Sequence, residues 1–318
     1  MNDPIFGLTL NYRDVERTVN CVRSLLNQGI ERIWVCDNSE DGGQSANLLR
    51  ASFKKETRVV VWENGINLGF AAGVNLALES IRGEHSSCFV LVINNDAYLL
   101  PGGLRVLREA LVRHREAVLL YPLVREKKTN IGLRYYQRWL GLVTNFPLSG
   151  SFRYPTGCAL LISLKNASFP IFDEDFFMYG EDTMLGWRLR TQKAMIFVPT
   201  ICVEHESSAS SQMGSFFYET RVVAAHWILA RKLAERFCER MVMYAGRLGV
   251  LPVRAILRAL RFRSWLPFQA LYEGWRLAFL SDPTRDRARS YLAARRHLVQ
   301  HSIGSVGSES WQKRCPEL

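Results

Sequence analysis

No run of about 18 uninterrupted apolar residues occurs in the 318-residue sequence, which excludes an ordinary membrane-spanning helix. The opening Met1-Asn2-Asp3-Pro4 has neither a basic n-region nor an apolar h-region, so the expectation is a cytosolic chain. The seven cysteines (Cys21, Cys36, Cys88, Cys158, Cys202, Cys238 and Cys315) are odd in number and form no C-x-x-C pair. That argues against a disulfide framework or a zinc ribbon and for free, buried thiols in a reducing compartment. Neither G-x-G-x-x-G nor G-x-x-x-x-G-K-[ST] is present, so dinucleotide and P-loop readings lose their usual support. There is no G-x-S-x-G elbow, and His205-Glu206-Ser207-Ser208-Ala209 lacks the second histidine of a zincin helix. Internal repeats and low-complexity tracts are absent as well.

What is present is a globular composition with a lopsided charge. Hydrophobic residues make up 48% and charged residues 22%, enough to build a core and too few charges for a disordered chain. Residues 1–220 carry 23 Lys and Arg against 23 Asp and Glu, whereas residues 221–318 carry 18 against 7. The whole excess of +11 therefore sits in the last third. A basic segment on a neutral body points to an anionic partner, membrane lipid or nucleic acid.

The first half alternates short apolar runs with amphipathic stretches. Strands are predicted at Ile5–Asn11, Ile33–Cys36, Val59–Trp62 and Phe89–Ile93. Asp14 can cap a helix with Val15, Val19, Val22, Leu25 and Leu26 on one face. A second helix is predicted from about Ala72 to Ile81, and Pro101 opens a third. Residues 123–152 read as a variable excursion, and further strands are predicted at Thr156–Ile162 and Met195–Val198. From about Ser215 the pattern is helical. This rhythm predicts an α/β fold, a mostly parallel central sheet flanked by helices, with a C-terminal helical extension. Ligands bind such sheets beyond the carboxyl ends of the strands, which directs attention to Asn11, Asp37, Asn67 and Asn94-Asn95-Asp96.

Four features can carry chemistry there. Val90–Asp96 is an apolar strand delivering a carboxylate at its end, suited to a hard cation bridging phosphates or, more plainly, to starting a turn. Asn67-Leu68-Gly69-Phe70-Ala71-Ala72-Gly73-Val74-Asn75 sets glycines at a helix start, where backbone can approach an anion or simply turn and pack. Glu181-Asp182 follows an aromatic patch and opens a helix, where an ionised carboxylate can serve as general base or merely complement the helix dipole. His205 lies in what reads as a loop after a strand, either structural or a ligand.

The order of these segments resembles family 2 of the glycosyltransferases, of GT-A fold, and within it the rhamnosyltransferase-like branch. The resemblance covers about residues 5–240 and runs from Leu8–Tyr12 through Val35–Ser39, Asn67–Asn75, Ile93–Asp96, Thr156–Ala159 and Phe177–Asp182 to His205. It implies that Asn11, Asp37, Asn67, Gly69, Phe70 and Asn95 form the donor site. Asp96 and His205 would face a divalent metal, Mg²⁺ or Mn²⁺. Asp182 would be the catalytic base, with Gly157 and Glu181 on the acceptor side. Asn94 stands where a full D-x-D has its first Asp, and Gly180 stands where branch members often carry a bulkier residue.

The reading that results is an inverting, metal-dependent transferase. It would move a sugar, L-rhamnose from dTDP-rhamnose in this branch, from a nucleotide-diphosphate donor to a saccharide or lipid-linked saccharide. Asp182, with an ordinary pKa of about 3.9, would already be ionised at neutral pH. Residues 1–215 would be the donor-binding and catalytic domain and residues 216–318 a basic helical region. Within that region, Arg254–Leu280 interleaves Arg254, Arg258, Arg261, Arg263 and Arg276 with Leu, Trp and Phe, and Pro267 divides it into two helices. This is the composition of helices in a membrane interface, so peripheral attachment to an anionic inner-membrane surface is expected and nucleic-acid binding is not. The rival reading is a non-catalytic nucleotide-sugar-binding or scaffold protein.

Overall fold

The computed structural model describes residues 3–127, 129–191, 194–206 and 213–303; Cys315 and the end of the basic region, residues 304–318, lie outside them. The chain begins β1 (Ile5–Asn11), α1 (Val15–Asn27), β2 (Ile33–Asp37), α2 (Gln44–Ser52), β3 (Val59–Glu63), α3 (Gly69–Glu84) and β4 (Phe89–Ile93). It continues with β5 (Ala97–Leu99), α4 (Gly103–Arg113), β6 (Leu119–Glu126) and β7 (Thr129–Ile131). Next come β8 (Arg134–Gln137), β9 (Leu142–Thr144), β10 (Ser151–Tyr154), β11 (Ala159–Ser163), α5 (Glu181–Leu189) and β12 (Met195–His205). The helices α6 (Phe216–Lys232), α7 (Phe237–Phe262), α8 (Leu266–Phe279) and α9 (Pro283–Ile303) complete it.

The central sheet runs β3-β2-β1-β4-β11-β6-β12-β5, with β7 beside β6. Six strands point one way; β11, β5 and β7 run against them. β1, β2 and β4 are almost wholly buried, as expected of parallel strands covered on both faces. One face packs Leu25, Leu49 and Leu107 of α1, α2 and α4; the other packs Val74, Leu78 and Ile81 of α3. Asp14 caps α1 by accepting from the Arg17 N–H at 3.4 Å.

Several boundaries differ from the sequence expectation. α3 starts three residues early, at Gly69, and α4 begins at Gly103 after a Pro101-Gly102 turn. β11 starts at Ala159, so Thr156-Gly157-Cys158 is a turn before it. β12 does not stop at Val198. Its register shifts around Pro199, which cannot donate to a ladder, and pairing then resumes through His205. His205 is therefore the last residue of a strand, not part of a loop. The excursion at 123–152 is ordered as the end of β6, β7 and a separate sheet, β10-β8-β9. The fully buried Arg247 of α7 ties that sheet down, donating to the carbonyls of Arg138 at 2.9 Å and Trp139 at 2.6 Å and to the Tyr136 hydroxyl at 3.1 Å.

The last four helices form the expected C-terminal helical extension, and they are tied to the rest of the molecule. α6 packs on α8 and α7, with Val223, Trp227 and Ile228 in their shared core. α9 returns to the sheet domain, placing Ala288 and Leu292 against Leu68, Ala72 and Leu76 of α3 and its approach. Arg296 there pairs with Glu79 and Glu174, and Arg287 pairs with Glu40. Much of the basic charge of this third is thus spent inside the molecule.

Candidate active site

A cavity of about 740 Å³ opens at the carboxyl ends of β1, β2 and β4. Ten of the eleven residues singled out in the sequence line it: Asn11, Asn67, Gly69, Phe70, Asn95, Asp96, Gly157, Glu181, Asp182 and His205. The eleventh, Asp37, is buried beside it. Parallel pairing sets Asn11 level with Asp37, and the Asn11 amide donates to the Asp37 carboxylate at 2.7 Å and to the Ser39 hydroxyl at 3.0 Å. The Thr18 hydroxyl donates to Asn11 Oδ1 at 2.7 Å and accepts from Asn95 Nδ2 at 3.1 Å. Asn11 and Asn95 are therefore held by one polar network that starts at the tip of β1.

The 67–70 loop is fixed from both sides. Asn67 Oδ1 accepts from the Gly69 N–H at 2.9 Å, and the Phe70 N–H donates to the Phe177 carbonyl at 2.9 Å. Gly69 has φ +71°, and a Cβ there would stand 2.2 Å from the Phe177 oxygen. Only glycine fits that approach. Asn38, which sequence reasoning passed over, donates to the Gly69 carbonyl at 3.1 Å and accepts from Asn64 at 2.7 Å. Asn75, the last residue of the loop motif, is buried and clamps Phe172 through both its amide atoms, at 2.8 and 2.9 Å.

Strand register brings Asp96, His205 and Glu126 together. β12 lies between β5 and β6, so His205 sits opposite both Ala97 and Glu126. His205 Nε2 is 3.1 Å from Asp96 Oδ1, and Nδ1 is 3.3 Å from Glu126 Oε1. Burial opposes a charge on His205, but the Asp96 hydrogen bond and both carboxylates outweigh it and raise its pKa. Glu126 ends what reads in sequence as part of a variable excursion; only the pairing of β6 with β12 reveals it. Among the described residues, no group of three or more His, Cys, Asp or Glu side chains is arranged to hold a metal ion by itself.

The other carboxylate pair opens α5. Gly180, at φ +92°, precedes the helix in the left-handed region, where a bulkier residue would be strained and its Cβ would meet the Phe176 ring at 2.8 Å. Asp182 Oδ1 accepts from the Thr183 N–H at 2.6 Å, and the Gly157 N–H also reaches the carboxylate. Glu181 is buried, with Oε2 lacking a hydrogen-bond partner among the described residues. Burial pushes the pKa of both acids up, and the neighbouring Asp182 charge pushes Glu181 further. The backbone donors that favour ionised Asp182 make it the member that keeps its charge and Glu181 the one that holds a proton. The expectation of an ordinary Asp182 pKa is corrected accordingly: the group sits in a low-dielectric wall beside a second acid.

A mostly parallel sheet with polar strand ends, a glycine-opened helix at the crevice and two acidic sites on its walls make up this cavity. The sequence model of Glycosyl transferase family 2 matches residues 9–179, over half of the chain, and the chain belongs to that family. No curated protein matches it in sequence. Its fold is similar to that of GalNAc-T7, solved with UDP, GalNAc and Mn²⁺ (TM-score 0.53, 12% identity, covering 83% of this chain and 59% of that one). It is also similar to S. aureus TarS 1–349 (TM-score 0.52, 14% identity, covering 95% of this chain and 91% of that one). The same TarS fragment in complex with UDP gives a TM-score of 0.51 at 14% identity.

Proposed function

We propose that the chain is an inverting transferase for a nucleotide-diphosphate sugar, with Asp182 as general base. The donor would bind along Asn11, Asp37, Asn67, Gly69, Phe70 and Asn95, and Gly157 and Glu181 would border the acceptor. The observation that carries this is the Asp182 carboxylate, oriented by the Thr183 N–H at 2.6 Å, on the wall of the cavity that Asp96 and His205 also line. The acceptor hydroxyl attacks the anomeric carbon, its proton passes to Asp182, and the carbon–phosphate-oxygen bond breaks to release the nucleotide diphosphate. One displacement inverts the carbon, and no nucleophile on the protein is needed.

A divalent cation, Mg²⁺ or Mn²⁺, fits Asp96 and His205. Asp96 offers a carboxylate oxygen and His205 a ring nitrogen, 3.1 Å apart on the cavity wall, and the two would hold the ion. Glu126 on Nδ1 is the carboxylate that orients a ligating histidine. When bound, the ion would neutralise charge on the leaving diphosphate.

The finer reading takes dTDP-L-rhamnose as donor, from the branch resemblance, and a saccharide or lipid-linked saccharide as acceptor on the cytoplasmic face of an anionic membrane. Residues 1–215 would form the catalytic unit and residues 216–318 the basic helical one. The UDP, GalNAc and Mn²⁺ of the structural neighbours belong to the same donor and metal classes. A panel of nucleotide sugars, with saccharide acceptors and an NMR readout of the product anomer, tests the proposal. One donor is expected to be turned over with inversion, with EDTA abolishing transfer and added Mn²⁺ or Mg²⁺ restoring it. Binding of donors without turnover of any would support the scaffold reading instead. Full activity after metal removal would sink the role of Asp96 and His205.

A further inference from the structure

The outward face of α7 is inverted relative to an ordinary surface helix. Thirteen of its residues are exposed, and only Arg261 among them is charged. Leu248, Leu257 and Leu260 are 67%, 62% and 72% exposed, with Phe237, Met241 and Ile256 on the same open side. Soluble helices turn charged residues outward and bury the apolar stripe. Here the arginines expected to face lipid are turned inward: Arg254 and Arg258 both pair with Glu219, which is fully buried. Continuous exposed apolar surface on this scale marks an interaction site.

The structure assigns this face as a docking surface that inserts into an anionic lipid bilayer interface, with α7 lying in the membrane plane. This rests on the proposal that the chain works at a lipid surface, and it names the part that makes the contact. α7 has 26 residues and so is about 39 Å long at 1.5 Å per residue, with Met243, Arg247, Leu251 and Ala255 buried on its inner face. No described helix is long and apolar enough to cross a membrane. The apolar strip is bounded by exposed arginines at both ends, Arg236 before it and Arg261 and Arg263 after it. Trp265 projects beside the second group at 77% exposure. Arginine and tryptophan bordering an apolar strip match the headgroup level of an anionic bilayer. A second copy of the chain fits less well. Whether two α7 faces met parallel or antiparallel, arginines would oppose arginines at both ends of the contact.

The placement also explains access. Phe262, at the end of α7, packs close to Gly214, which lies next to Met213 on the cavity rim. Arg258 stands 5.3 Å from the ring of Tyr218, another rim residue. Exposed Met213 and Phe217 extend the apolar surface from α7 to the mouth of the cavity. Docking on α7 therefore turns the cavity mouth toward the bilayer, where the head of an amphiphilic acceptor would lie.

Flotation of the full chain with phosphatidylglycerol–phosphatidylcholine vesicles, against pure phosphatidylcholine, tests this. The wild type is expected to float with the anionic vesicles. A triple variant, Leu248→Gln, Leu257→Gln and Leu260→Gln, should partition at least tenfold more weakly while its thermal unfolding stays unchanged. Arg261→Gln with Arg263→Gln should weaken binding less and flatten its salt dependence. Equal flotation of wild type and triple variant, or none by the wild type, overturns the assignment. So does a wild-type dimer in sedimentation equilibrium that the triple variant dissociates without any vesicle binding. Asp182→Asn should float like the wild type, so failure of the catalytic reading and failure of this one are told apart.

Discussion

Replacing Asp182 by Asn separates its basicity from its shape. The asparagine Oδ1 can still accept from the Thr183 N–H that now lies 2.6 Å from the carboxylate. What is lost is the proton acceptor, which general-base catalysis values at roughly 10²–10⁴ in rate, or about 3–5 kcal/mol of transition-state stabilisation. Stability should move the other way. Asp182 is charged in a site whose burial raises its pKa, next to an acid it repels, so a neutral side chain removes an unfavourable desolvation. The Gly157 N–H, which also reaches the carboxylate, would be the one contact weakened, at about 0.5–1.5 kcal/mol for a hydrogen bond. The expected variant transfers sugar at least a hundredfold more slowly, binds nucleotide diphosphate as before by calorimetry, and melts no lower than about the wild type. Glu181→Gln is the control and should cost less in transfer, since Glu181 already holds a proton. Wild-type turnover in the Asn variant would refute the assignment of the base. A large fall in melting temperature would show that the carboxylate is structural instead.

The same argument fixes a pH dependence. Transfer requires ionised Asp182, whose pKa is raised by burial, so activity is lost as pH falls through that raised value. The acid limb of kcat/KM should lie clearly above the ordinary aspartate value of about 3.9, and a limb at or below pH 4 would contradict it. Gly69→Ala should destabilise the protein by about 1–3 kcal/mol or more and weaken donor binding, because its Cβ would meet the Phe177 carbonyl at 2.2 Å. Chemical denaturation and nucleotide titration read the two effects, and an unaltered protein would show that the 67–70 loop is free to move. Glu219→Gln removes the carboxylate shared by two inward-facing arginines. Breaking such a buried pair typically costs about 3–5 kcal/mol, so a variant as stable as the wild type would mean the arginines find solvent.

The local pattern of the chain carries much of this protein. Apolar strands ending at Asn11, Asp37 and Asn94-Asn95-Asp96 can be read from short continuous apolar runs, because a parallel strand buried on both faces must be apolar until it reaches the crevice. Gly69 is equally legible as a glycine at a helix start, whereas Gly180 read only as a departure from the branch and the structure supplies its reason, a φ of +92°. Long-range register is not local, and it decided the rest. Glu126 and His205 are 79 residues apart in sequence and meet only because β12 pairs with β6. Pro199 disguised that strand as a short one. The pKa of Asp182 depends on which groups surround it, and periodicity says nothing of that. The amphipathic C-terminal sequence was consistent with either face of α7 pointing outward. Tertiary packing chose, because buried Glu219 on α6 draws Arg254 and Arg258 inward and leaves the leucines of α7 facing out.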